Sequence, residues 1–249
     1  MIKVKRILSY LENLYPCATA CSFDNVGLLV GDAESDVSKV VVSLDCDINT
    51  VDFAKKNGAN LIITHHPVIF EPIKSVREND IVFGLIKSGI SVISMHTNLD
   101  IGTDGVNDTL CKVLELKDVE PYTAADGYLL KAGKTDKHTA DDFARHIKFK
   151  LGGCVRYVKG NEPINTVLVC SGSGGSYIDE AISGGFDAFV TADVKHNVFI
   201  SAINSGISLF DGGHFNTENI IVKPLCSRLQ YKFSDIKFIS YIPDIIKTV

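Results

Sequence analysis

The 249-residue sequence has no run of 18 or more apolar residues, so no segment of it reads as a membrane-spanning helix. Its first residues, Met1-Ile2-Lys3-Val4-Lys5-Arg6, lead into an amphipathic helical pattern and not into the apolar core of a signal peptide; a cytoplasmic protein is expected. A basic excess is missing too. With 25 Lys and Arg against 30 Asp and Glu the net charge is −5, which argues against broad nucleic-acid binding, because that needs a basic surface to displace counterions. Cys17 and Cys21 stand close together, but no second close pair answers them, and a structural zinc knot is not expected. Five further cysteines, Cys46, Cys111, Cys154, Cys170 and Cys226, sit in apolar periodic segments, where thiols pack as small hydrophobes in a reducing compartment. Low-complexity linkers are absent. What remains, 45% hydrophobic and 22% charged, suits a soluble globular protein able to bury a full core, as one large domain or two ordinary ones.

From Ser38 onward, short β-branched runs alternate with helix-period segments. Strands are expected at 40–44, 59–64 and 90–95, and helices at 50–57, 80–88 and 106–116. This is a βαβ rhythm, which implies an α/β fold with mainly parallel strands. A second pass follows, with strands at 166–170, 187–191 and 207–210 and helices at 177–183, 197–204 and 217–229. The passes also match in sequence. Asn57-Gly58-Ala59-Asn60-Leu61-Ile62-Ile63-Thr64 resembles Gly184-Gly185-Phe186-Asp187-Ala188-Phe189-Val190-Thr191, and Ser88-Gly89-Ile90-Ser91-Val92 resembles Ser205-Gly206-Ile207-Ser208-Leu209, which marks an internal duplication. Between the passes, 127–131, 138–151 and 155–159 read as strand, helix and strand. An amphipathic helix is expected at 3–15 and a last strand at 236–241. The expected halves are 1–125 and 126–249, with the last helix and strand able to pack on the first half.

Chemistry concentrates where apolar runs stop. Leu61-Ile62-Ile63-Thr64 is followed at once by His65-His66-Pro67, and His96 and His214 also come just after hydrophobic runs, His96 with Asp100 and His214 with Glu218 four residues on. In an open α/β fold the ends of the strands are where ligands bind. Neighbouring residues of a strand point to opposite faces, so His65 and His66 can converge only once the strand has ended, and Pro67 restricts His66 to extended geometry. Any one histidine is more often a hydrogen-bonded structural residue than a ligand. Two adjacent histidines with two His-x-x-x-carboxylate sets are hard to explain as packing, and His65, His66, Asp100, His214 and Glu218 are the candidate metal ligands. Imidazoles with carboxylates suit two divalent ions of zinc, manganese, iron or nickel better than calcium. Glu218 is a natural bridge between them.

Other residues carry weaker readings. His138 and His146, among Asp141, Asp142, Arg145 and Lys148, read as a solvated helix face. His196 follows a strand that matches the metal-bearing strand of the first pass, and is a candidate proton donor. Ser171-Gly172-Ser173-Gly174-Gly175-Ser176 lies between strand and helix where amides could hold a phosphate, but it lacks a P-loop lysine and fits a purely geometric turn as well. Asp24-Asn25-Val26-Gly27-Leu28 reads as a turn whose polar residues can cap or reach a site.

Taken together, Phe23-Asp24-Asn25-Val26-Gly27-Leu28, Thr64-His65-His66-Pro67, His96-Thr97-Asn98-Leu99-Asp100, Thr191-Ala192-Asp193 and Gly213-His214-Phe215-Asn216-Thr217-Glu218 resemble the Nif-three-like family, whose members are often labelled GTP cyclohydrolase 1 type 2 homologues. The resemblance spans nearly the whole chain. It implies two intertwined, duplicated α/β halves, a dinuclear metal centre in the cleft between them, and homohexamers built as trimers of dimers. By motif, it assigns His66 and Asp100 to one ion, His65 and His214 to the other and Glu218 to both, with His96 close by. It further implies hydrolytic opening of the guanine imidazole ring of GTP with release of formate, with Glu218, His96 and His196 as catalytic residues and Asn25 and Lys195 as substrate contacts. Two alternatives stay open: a metal-dependent nucleotide or phosphoester hydrolase, and a non-enzymatic metal-handling or partner-binding protein.

Overall fold

A strand covered on both faces must be apolar along its whole length, and the short runs found above meet that requirement. The computed structural model of the chain describes residues 2–243 and 245–246; residues 1, 244 and 247–249, which include the ends of the two expected halves, lie outside the described residues. The chain forms two units, Met1–Thr103 with Ile221–Ile245, and a second built on Asp104–Ile220.

The first unit opens with β1 (Ile2–Lys3), α1 (Val4–Leu14), β2 (Gly27–Val30) and β3 (Asp36–Val37), the last pairing with β1. It then runs β4 (Lys39–Ser43), α2 (Ile48–Asn57), β5 (Leu61–Thr64), α3 (Ile81–Lys87), β6 (Ser91–Ser94) and the short α4 (Thr97–Ile101). Asp47 caps α2, accepting the N–H of Thr50 at 2.7 Å. Strands β4, β5 and β6 are parallel, and β2 is antiparallel to β6. Val41, Ile62 and Val92 project to one face and meet Val51 and Ala54 of α2 and Leu85 of α3. Their neighbours Val40, Val42, Leu61, Ile63 and Ile93 are equally buried on the other face.

The second unit runs α5 (Val106–Val113), β7 (Lys117–Thr123), β8 (Leu129–His138), α6 (Ala140–Leu151), β9 (Arg156–Val158), β10 (Ile164–Val169), α7 (Ile178–Ser183), β11 (Ala188–Thr191), α8 (His196–Ser205), β12 (Ser208–Asp211) and α9 (His214–Glu218). Its sheet has the order β7-β8-β10-β11-β12-β9. Only the β10-β11-β12 core is parallel, whereas β7, β8 and β9 pair antiparallel, so this sheet is more mixed than the rhythm alone implied. Alternation divides its side chains cleanly. Val167, Val169, Val190 and Phe210 join Leu110, Phe143 and Ile147 on one face, while Leu168, Phe189 and Leu209 join Ile178, Ala181, Phe199 and Ala202 on the other.

The chain then returns to the first unit as α10 (Val222–Lys232) and β13 (Lys237–Tyr241), which pairs parallel with β4 and completes the order β13-β4-β5-β6-β2. The single helix expected over 217–229 is in fact α9, a tight turn over Asn219–Ile221, and α10. Pro224 accounts for the break. Its ring would clash with the carbonyl of Ile220 inside a continuous helix, but it fits the first turn of one that restarts at Val222.

Three further expectations change. His138 ends strand β8, and α6 begins only after Thr139, whose hydroxyl caps it through the N–H of Asp142 at 3.1 Å. His146 is half-buried, not solvated, with Nε2 3.0 Å from the carbonyl of Leu114. Cys154 is exposed, unlike the buried Cys46, Cys111, Cys170 and Cys226. Burial pushes the Cys46 and Cys111 thiols up to about 12, which leaves them chemically quiet. Among the described residues, no helix is long and apolar enough to cross a membrane.

The duplication has a backbone signature. Gly58 and Gly185, matched in the two passes, adopt φ of 67° and 69°, and the matched Gly89 and Gly206 adopt 63° and 72°. Each pair turns a helix end into the next strand through the left-handed region, where only glycine is unstrained.

Candidate metal centre

In the first unit, β5 stops at Thr64, and the N–H groups of both His65 and His66 then donate to the carbonyl of Leu44, at 3.2 and 3.0 Å. One carbonyl thus gathers two consecutive residues and breaks the strand's alternation. The Thr64 hydroxyl donates to the His66 carbonyl at 2.8 Å and takes the Ser94 hydroxyl at 2.8 Å, which locks the bend from beneath. The rings consequently sit on one side, with centroids 4.9 Å apart. His96, two residues past the end of β6, adds a third ring 5.1 Å from His65 and 5.6 Å from His66. One ring nitrogen from each of the three lies within 4.8 Å of the others.

The orientation of each imidazole is fixed through Nδ1. His65 Nδ1 meets the Met95 carbonyl at 2.9 Å, His66 Nδ1 meets Asp45 Oδ1 at 2.7 Å, and His96 Nδ1 meets Asp24 Oδ1 at 2.9 Å. A carbonyl or carboxylate can only accept, so each Nδ1 carries the proton, and in a neutral ring Nε2 keeps the lone pair. Asp24 is itself tightly held, by the N–H and hydroxyl of Thr97 at 3.0 and 2.5 Å. Burial pushes its carboxyl upward, but the hydrogen bonds from His96 and Thr97 outweigh this and hold it well below the usual carboxylate range. Asp100 lies in the helical turn α4, which begins immediately after His96. It is only 6% exposed, and its Oδ1 is 3.5 Å from Nε2 of His65.

The second unit builds a comparable group on different strand ends. Gly213, at φ 84°, leads into α9, and the single turn of that helix puts His214 Nε2 and Glu218 Oε2 3.0 Å apart, on one side as their spacing implied. His214 Nδ1 meets Asp193 Oδ2 at 2.6 Å. Glu218 is 3% exposed. Gly172, at φ 59°, lies against it: a Cβ there would stand 2.0 Å from Glu218 Oε1 and 3.4 Å from His214 Nε2. That close approach explains glycine at 172. Three amides of the 171–176 turn are engaged within the protein, Ser171 N–H with Asn107 Oδ1, Gly172 N–H with Thr217 Oγ1 and Gly174 N–H with Thr191 Oγ1.

Other predicted residues have defined places. Asn25 is half-buried and donates its side-chain amide to the Ile69 carbonyl at 2.6 Å, tying two loops of the first unit together. Lys195 and His196 are exposed at the start of α8. The orienting carboxylate Asp45 was missed, and Asp193 was named only within the Thr191-Ala192-Asp193 motif. Asp45, His66, His96 and Asp193 each lie two residues beyond the end of their strand, a regularity the sequence does carry.

The donor set fits a divalent cation. A neutral imidazole has one ring proton; with that proton on Nδ1, the carboxylate oxygens beside Nε2 of His65 and His214 require either a second proton or a cation between the two atoms. Imidazoles anchored through Nδ1 by carboxylates or carbonyls are the usual arrangement of histidine ligands.

The family model described as Duf34/NIF3 (NGG1p interacting factor 3) matches residues 2–244. A Clostridium perfringens protein named "GTP cyclohydrolase 1 type 2 homolog" is 31% identical over 250 residues, covering 96% of this chain and 95% of its own length. Among solved structures, a hypothetical protein of Staphylococcus aureus superposes with a TM-score of 0.90 at 29% identity, over 99% of each chain. Reduced HcgD from Methanocaldococcus jannaschii gives 0.85 at 28% identity, over 96% of this chain and 97% of the other. With sequence match and fold both running almost from end to end, the chain belongs to the DUF34/NIF3 family.

Proposed function

We propose that this protein is a metal-dependent hydrolase that uses two divalent ions, with His66 and Asp100 holding one, His65 and His214 the other, and Glu218 shared. The observation that carries this reading is the fixed tautomer of the imidazoles, which presents Nε2 as a donor atom beside buried carboxylates. When bound, such ions lower the pKa of water toward neutrality and polarise the bond to be cleaved. The chain's own residues do the rest. Met95, Asp45 and Asp193 hold the rings in place, and Gly172 leaves room for the Glu218 carboxylate. His96, backed by Asp24, is placed to carry a proton, and exposed His196 is the second proton carrier. Lys195 offers an anionic substrate a positive charge, and Asn25 is a second substrate contact.

The finer proposal follows the name of the relatives: the substrate is GTP, opened at carbon 8 of guanine with release of formate. A homohexamer, a trimer of dimers, goes with it. Metal analysis of the protein as isolated and after reconstitution with zinc, manganese, iron or nickel tests the first statement; two ions per chain are expected, and fewer than one under every condition overturns it. Incubating the loaded protein with GTP should release formate and pterin fluorescence. Turnover of a phosphoester panel without either product would move the activity to phosphoester hydrolysis, and metal transfer to a partner without any turnover would make the protein a metal carrier. Light scattering tests the hexamer.

A further inference from the structure

We propose that Phe23 and Phe70 form an aromatic wall on which the planar heteroaromatic ring of the substrate stacks beside the histidine cluster. The proposal rests on the hydrolase reading for its purpose but not for its test. Phe23 is 68% exposed and Phe70 44%, in a chain where aromatics of this size are otherwise mostly covered. Burying a phenylalanine stabilises a protein, so two exposed rings side by side are an unused resource, not packing.

Their position gives that resource a direction. The centroids of Phe23 and Phe70 are 6.4 Å apart and tilted by 58°, and Phe70 in turn meets His96 edge-on at 6.2 Å. From His96 the rings of His65 and His66 follow at 5.1 and 5.6 Å. A continuous row of rings therefore leads from solvent to the imidazoles, and a flat ligand seated on the two phenylalanines has its edge one ring away from them. Tilted rings at this separation cannot sandwich a ligand; they make a wall that takes one face.

The wall is also preorganised. Asp24, next to Phe23, is fixed by His96 and Thr97, and Ile69, next to Phe70, receives the Asn25 amide. A neighbour of each ring is tied down while the rings stay exposed, which is how a contact surface avoids an ordering cost on binding. A heteroaromatic ring with a polar, hydrolysable edge matches this combination of flat apolar wall and polar end.

The sequence has no tryptophan, so Phe23→Trp installs a single reporter in the wall itself. GMP and AMP should quench its emission saturably, ribose 5-phosphate should not, and adding Phe70→Ala should weaken the nucleotide midpoint about tenfold with unchanged circular dichroism. The same titration in chelator-treated protein should still saturate, so this result survives even if the metal reading fails. Equal responses to the nucleotides and to ribose 5-phosphate, or no response to any of them, would overturn the wall. So would emission already shifted to the blue and insensitive to nucleotide, with Phe70→Ala splitting the assembly, because the wall would then be covered by a second copy of this chain.

Discussion

The two units share a parallel core, β4-β5-β6 with β13 added beside β4 in the first and β10-β11-β12 in the second, yet their equivalent strand ends differ in what they present. At the end of β5 stand His65 and His66, two imidazoles; at the matching end of β11 stand Ala192 and Asp193, whose carboxylate meets His214. Buried Thr64 and Thr191 close both strands, donating to the His66 carbonyl in one unit and the Gly172 carbonyl in the other. The scaffold has been kept and its output changed. In the first unit a strand end supplies candidate donors directly, and in the second it orients a candidate donor that comes from elsewhere, at the start of α9. Asp193, at φ 51°, tolerates the left-handed turn this requires, as aspartate can and most residues cannot.

Glycine substitutions separate these two roles most sharply. Gly172→Ala puts a Cβ 2.0 Å from Glu218 Oε1 at φ 59°, and Gly31→Ala puts one 2.1 Å from Ser91 Oγ at φ 101°. Both should cost about 2–4 kcal/mol, read as a lower melting temperature. Only Gly172→Ala should also lower the metal bound per folded chain, because only it displaces a candidate ligand. Equal metal uptake by the two variants would show that Glu218 holds no ion.

Removing an orienting charge is gentler. Asp45→Asn and Asp193→Asn leave His66 and His214 in place but weaken the acceptor behind them, and each should reduce metal affinity by about 10–100-fold in chelator competition. If the strand ends really differ in role, adding the two substitutions should cost roughly the sum of their free energies. A strongly non-additive double mutant would mean that the two carboxylates support one coupled network.

Much of this was visible before any coordinates. The core strands β4, β5, β6, β10, β11 and β12 were found within a few residues because burial on both faces leaves unbroken β-branched runs, as in Val40-Val41-Val42. The edge strands β9 and β13 were found too, but the edge strands β2 and β7 were not. β7 carries Glu120 and Pro121 on a mostly exposed strand, and β2 begins at Gly27 inside what reads as a turn, so neither has the composition that buried pairing demands. At the site, the imidazoles announced themselves by stopping apolar runs, whereas Asp45 did not. A carboxylate beyond a strand end is common on any surface, and only the 2.7 Å contact with His66 gives this one its role.

The smallest expected effect concerns the equivalent helices α2 and α7. Helix α2 is capped by Asp47, while α7 is entered from a tight turn over Gly175–Tyr177 and has no side-chain cap. Asp47→Ala should place α2 in the same position as α7 at a cost of about 1 kcal/mol. Asp47→Asn should keep most of the cap and change its pH dependence instead. Burial pushes the Asp47 carboxyl up, but the hydrogen bonds from Thr50 and Asn49 prevail and hold it below its ordinary value. A carboxyl depressed in the folded state stabilises fully above the unfolded value, near pH 4, and loses that contribution as pH falls through the folded value. The gap in melting temperature between wild type and Asp47→Asn should therefore be constant from pH 7 to about 5 and shift against the wild type below about 4. A gap that ignores pH throughout would mean that Asp47 acts on α2 only as a neutral acceptor would.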